Sequence, residues 1–159
     1  MSSQMVMYDE EFRHIETVCE RLARDSVARA VFLIDKNGQL IVAAGQSASF
    51  DTTSLASLVA GEIAATGGLA QLMGEREFST LFHEGDRDNL HISVVASRAI
   101  LVVIFDKRTS LGLVRLRVKK GAEELETIFQ ALVERTAKEG AQTPFAELTD
   151  EDIDNLFSV

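Results

Sequence analysis

His83, Glu84, Asp86, Asp88 and His91 are the nearest approach to a catalytic cluster in this chain, and they would serve as metal ligands or as an acid–base pair. Their spacing argues against both uses. They straddle a predicted hairpin turn, where aspartate and glycine serve the backbone, and His91 alternates with apolar residues. His14 lies among helix charges and reads as a solvated histidine. Arg108 and Arg115 are candidates for a phosphate-directed arginine. Arg115, Arg117, Lys119 and Lys120 nevertheless precede Glu123, Glu124 and Glu126, a pattern that favours ion pairing within or between helices. Cys19 is the single cysteine, which excludes a disulfide framework and a thiolate zinc site within one chain, and it reads as a packing residue. Neither a Gly-x-x-x-x-Gly-Lys-Ser/Thr segment nor a Gly-x-Gly-x-x-Gly after a strand is present, so the chain is not expected to bind a nucleotide in those ways. No catalytic residue, metal or cofactor is assigned.

The elements that must position these groups follow from periodicity. Asp9 to Arg24 carries Phe12, Ile15, Cys19 and Leu22 at helical spacing. Val27 to Asp35 and Leu40 to Ala44 are β-branched runs joined by Lys36-Asn37-Gly38-Gln39, a hairpin signal. Asp51 is placed to cap a helix that Gly74 ends. Three further strands are expected at Glu77 to His83, Asn89 to Ala96 and Ala99 to Phe105; the last is apolar throughout and should be central and covered on both faces. A long helix runs from Thr109 or Ser110 towards Lys138, with Gly121 a candidate bend. The expected class is α+β, in the order α-β-β-α-β-β-β-α, with a five-stranded antiparallel sheet and helices on its faces.

The helix between Asp51 and Gly74 sorts its residues by size. Leu55, Leu58, Val59, Ile63, Leu69, Leu72 and Met73 gather on one side, and Ala56, Ala60, Ala64, Gly67 and Gly68 on the other, with Ser57 and Gly61 beside them. The small face reads as a contact surface that another backbone can approach closely. Each of the three glycines costs roughly 0.5–1 kcal/mol relative to alanine in a helix interior, so a compensating contact is expected, or a bend or end at Gly67-Gly68.

At 159 residues and 46% hydrophobic content, the chain supports one domain and a tail. A net charge of −9 and a pI near 4.8 argue against nucleic acid or an anionic membrane as partner. Residues 139–159 carry Glu139, Glu147, Asp150, Glu151, Asp152 and Asp154 without lysine or arginine. After a linker with the only proline, Thr149 and the acids cap a short helix presenting Leu148, Ile153, Leu156 and Phe157. The start, MSSQMVMYDEEF, has no signal-peptide pattern, and Ala99 to Phe105, the longest apolar run, is too short to cross a bilayer. A soluble, cytoplasmic protein without membrane insertion is expected.

The AVFLIDKNGQLIVAAG hairpin and the LASLVAGEIAATGGLAQLMG helix, in this element order, resemble the Roadblock/dynein light chain family over about residues 8–138. The resemblance implies a Roadblock-type domain at 1–138, followed by an acidic linker and amphipathic helix at 139–159. It implies a homodimer with the second helices side by side and the sheets joined, forming a platform on which two protomers engage one Ras-like small GTPase in its GTP-bound state. Hydrolysis would be stimulated without an arginine finger, by stabilising the GTPase's hydrolysis-competent conformation, in control of cell polarity and gliding motility at a cell pole. The partner surface falls on Ala56, Ala60, Ala64, Gly67 and Gly68, and dimer contacts on the rest of that helix and the Glu77 to His83 strand. Leu148, Ile153, Leu156 and Phe157 would dock on the same GTPase at a second place. A non-catalytic dimeric scaffold that only recruits a partner is the alternative.

Overall fold

The computed structural model describes residues 9–141, with side chains through Lys138. Helix α1 spans Asp9–Asp25, opening on Asp9, Glu10 and Glu11 and closing with Arg24, charges that oppose the helix dipole at each end. Strands β1 (Ala30–Asp35) and β2 (Leu40–Gly45) form the first hairpin. Its turn is built by Asp35, whose Oδ1 accepts hydrogen bonds from the backbone N–H groups of Asn37 and Gln39 at 2.9 and 3.0 Å. Gly38 there adopts φ +91°, a conformation that favours glycine.

A short 3₁₀ turn leads to α2 (Thr52–Leu72), capped at Asp51, which accepts from the Ser54 N–H at 3.1 Å and from the Ser54 hydroxyl at 2.8 Å. These hydrogen bonds, the hydroxyl first, hold the Asp51 carboxyl below the usual range. Helix α2 runs unbroken through Gly67-Gly68 and ends where Gly74, at φ +76°, lets the Gly74 and Glu75 N–H groups reach back to Gln71 and Ala70. Strands β3 (Thr80–Glu84), β4 (Asn89–Val95) and β5 (Ala99–Phe105) follow, then α3 (Leu111–Ala141), whose first turn is capped by the Ser110 hydroxyl.

The sheet is antiparallel throughout, in the order β2-β1-β5-β4-β3. Every residue of β5 is buried, as its unbroken apolar run requires of a central strand covered on both faces. Strand β3 begins three residues later than Glu77 and is an outer edge. The β4–β5 turn is centred on Ala96 and Ser97, both with φ near +55°.

Alternation assigns each face a core. Val31, Leu33, Leu101, Val103 and Phe105 meet α1 and α3 on one side; Phe32, Ile34, Ile92, Val102 and Ile104 meet α2 on the other. Cys19 belongs to the first core, where burial pushes its thiol up to about 12, so it is a packing group and not a thiolate. Gly121 does not break α3; a Cβ there would lie 3.6 Å from Leu22, so the residue is where α1 and α3 approach closely.

Candidate functional site

The roll of α2 about its axis differs from the size-sorted reading. Ala56 is 1% exposed and Ala60 7%, sealed with Val59 against the sheet. Leu58, Leu69, Leu72 and Met73, all from the bulky side, are turned outward, Leu72 at 86% exposure and Leu58 at 74%. The sheet supplies the reason. Its α2 face already carries Phe32, Ile34, Ile92, Ile100, Val102 and Ile104, so the helix fills the remaining space with small side chains, and the Gly38 turn approaches Ser57 and Ala60. Ala56 and Ala60 are therefore packing residues of their own protomer and not part of an accessible surface.

Ala64 and Gly68 are exposed and Gly67 half-buried. A Cβ built at Gly61, Gly67 or Gly68 meets nothing within 4 Å. The accessible small stripe runs through Ser57, Gly61, Ala64 and Gly68, at i, i+4, i+7 and i+11, beside a ridge of Leu58, Leu69 and Leu72. Sequence reasoning missed this ridge because it assumed that leucine points inward; the signal available was that α2 is apolar on nearly every side. By length and composition alone α2 is apolar enough to cross a membrane, yet only 22% of its most apolar window is buried, so most of that surface faces outward. Glu62 is the single charged residue between Thr52 and Leu72.

Beside this face lies the outer edge of β3, which among the described residues has no strand paired along one side. It is tied down from within: Phe82 stacks on Phe105 with ring centroids 6.1 Å apart, and Lys36 pairs with Glu77 at 3.1 Å. His83 reaches Glu62 of α2. The helix face and the strand edge thus form one continuous surface.

The carboxylate and imidazole groups near the β3–β4 turn do not converge. His83 and His91 leave the sheet on opposite faces, because Phe82 pairs with His91 and His83 with Leu90 in the ladder. Asp88 pairs with Arg29 at 2.5 Å, and Glu84 and Asp86 are solvent-exposed. Among the described residues, no group of three His, Cys, Asp or Glu side chains is placed to hold a metal ion. Arg108 is engaged by Asp106 at 3.0 Å, and its hydrogen bonds hold the Asp106 carboxyl low. Arg115 lies on the α3 side, beside His91. Glu124 pairs with Arg21 of α1 and not with the basic run of its own helix. Leu148, Ile153, Leu156 and Phe157 lie outside the described residues.

The Roadblock/LC7 domain model matches residues 14–105. Among solved structures, MglB of Myxococcus xanthus is 62% identical, with a TM-score of 0.77, covering 80% of this chain and 96% of that one. The gliding protein MglB of Thermus thermophilus is 33% identical, with a TM-score of 0.74, over 80% of this chain and 97% of its own. An uncharacterised protein of Methanocaldococcus jannaschii is 25% identical over 115 residues, 72% of this chain and 99% of its own.

Proposed function

This chain belongs to the Roadblock/LC7 domain family, and we propose that it is a homodimeric GTPase-activating protein for a Ras-like small GTPase of the MglA type. The observation that carries the reading is the outward apolar face of α2, with its stripe of Ser57, Gly61, Ala64 and Gly68 and its ridge of Leu58, Leu69 and Leu72. An exposed apolar patch of this kind supports reading it as a partner surface. The 62% identity to Myxococcus xanthus MglB supports placing that partner among the small GTPases.

In this reading two protomers join through α2 and the β3 edges, and the paired helices engage one GTP-loaded GTPase. Helix α2 carries neither lysine nor arginine, so it has no cation to offer a phosphoryl-transfer transition state. Stimulation then comes from binding one conformer of the GTPase, the one whose own catalytic groups are in place, more tightly than the others. Ala64, Gly67 and Gly68 remain in the partner surface; Ala56 and Ala60 act only by holding α2 on the sheet. The segment 139–159, with Leu148, Ile153, Leu156 and Phe157, docks on the same GTPase at a second place, where tethering raises its effective concentration. The setting is the cytoplasm, at a cell pole, in control of polarity and gliding motility.

The test is GTP turnover by the cognate GTPase with and without this protein. Ala64→Arg and Gly68→Arg are expected to fold normally and to abolish stimulation, because a large cation on a close-packed apolar contact is desolvated without a partner. Normal stimulation by both variants would refute the surface. Undiminished binding with no rate increase for the wild-type protein would identify a scaffold instead.

A further inference from the structure

Among the described residues, the sheet face opposite α2 is incompletely roofed. Helix α1 covers β2 and β1 and α3 lies against part of β4, while Thr80 of the edge strand β3 and His91 and Ser93 of β4 line an opening beside α3. With Ser79 and with Arg115 and Lys119 of α3, these residues line a cleft of about 310 Å³. In a chain of net charge −9, the cleft is lined by two cations, three hydroxyls and an imidazole, with no carboxylate among its lining residues. Arg115 and Lys119 are four positions apart on one face of α3, an arrangement of like charges that is unfavourable until an anion joins it. Among the described residues neither is held by an ion pair. His91 is 3% exposed, and its Nδ1 lies 3.4 Å from the Ser93 hydroxyl.

We propose that this cleft binds a small phosphate-class oxyanion, with Arg115 and Lys119 neutralising its charge and Thr80, His91 and Ser93 donating hydrogen bonds to its oxygens. Two cations beside several polar donors suit a compact dianion better than a single carboxylate. Burial, and then the Arg115 charge, hold the His91 imidazole below its ordinary 6.5. The charged groups facing it are Arg115 and Lys119, both from α3, with no ionisable side chain contributed to the cleft by β3. A bound anion favours the imidazolium, so binding takes up a proton and strengthens as pH falls. The site is on the far side of the sheet from α2 and stands whether or not the GTPase reading holds.

The experiment follows the imidazole signals of His14, His83 and His91 by NMR in the full chain, with inorganic phosphate and, separately, sulfate as the probes. A saturable shift confined to His91 is expected. Sulfate, whose charge is constant in this range, should bind more tightly near about pH 6 than near about pH 8. Arg115→Ala and Lys119→Ala should each weaken binding roughly tenfold, the effect of one charge-assisted hydrogen bond. Lys36→Ala should leave it unchanged. Equal shifts at all three histidines, or unaltered affinity in the Arg115→Ala/Lys119→Ala double variant, would overturn the proposal. So would a His91 signal that moves in Asp150→Asn/Asp152→Asn/Asp154→Asn before any phosphate is added, since the chain's own carboxylates would then occupy the cleft.

Discussion

The Nε2 of His83 on β3 lies 2.9 Å from one carboxylate oxygen of Glu62 on α2 and 2.8 Å from the other. This contact joins the helix that presents the apolar face to the strand that ends the sheet. Both partners are partly solvent-exposed, so the pair orients more than it stabilises. A double-mutant cycle of His83→Ala and Glu62→Ala, measured by urea unfolding, is expected to give a coupling of about 0.2–1 kcal/mol.

Leu58→Asp and Leu72→Asp are expected to leave the protomer folded and the dimer broken. Both side chains are mostly exposed in the protomer, so the change removes little of its own core, while a carboxylate in a joined helix pair is desolvated. Light scattering after gel filtration reads the mass, and circular dichroism the fold.

Ala60→Leu separates packing from contact. Ala60 sits beside the Gly38 turn under α2, so extra methylenes there should cost about 1–3 kcal/mol in protomer stability. Gly61→Ala, where a Cβ meets nothing, should instead raise protomer stability by about 0.5–1 kcal/mol. Denaturant midpoints of opposite sign are the expected result.

Gly38→Ala should destabilise the hairpin by about 1–2 kcal/mol through the positive φ alone. Its new Cβ would also lie 3.2 Å from the Ser57 Cα, pressing on α2. A loss of thermal midpoint beyond that caused by His83→Ala checks this.

Protomer stability should fall as pH drops below 6.5, in the part due to His91. Burial and Arg115 place its folded pKa below that ordinary value, so between the two the unfolded chain binds more protons than the folded one. This contribution is fully present above 6.5 and is lost as pH falls toward the folded value. His91→Gln should flatten that part of the pH profile in urea titrations.

Element order, the Asn37-Gly38 hairpin, the Asp51 cap and the centrality of β5 were legible in the residues themselves, because turn chemistry, capping and the two- and 3.6-residue periods act over a few neighbours. Tertiary structure alone decided the roll of α2, which buries Ala56 and Ala60 and exposes Leu58 and Leu72. It also set the strand order that leaves β3 at the edge, the opposite faces taken by His83 and His91, and the open cleft beside α3. The physical reason is that a helix settles against the volume that the sheet leaves free, and that volume is filled by side chains such as Phe32, Ile92 and Ile104, distant in sequence and reached only once the strands are paired.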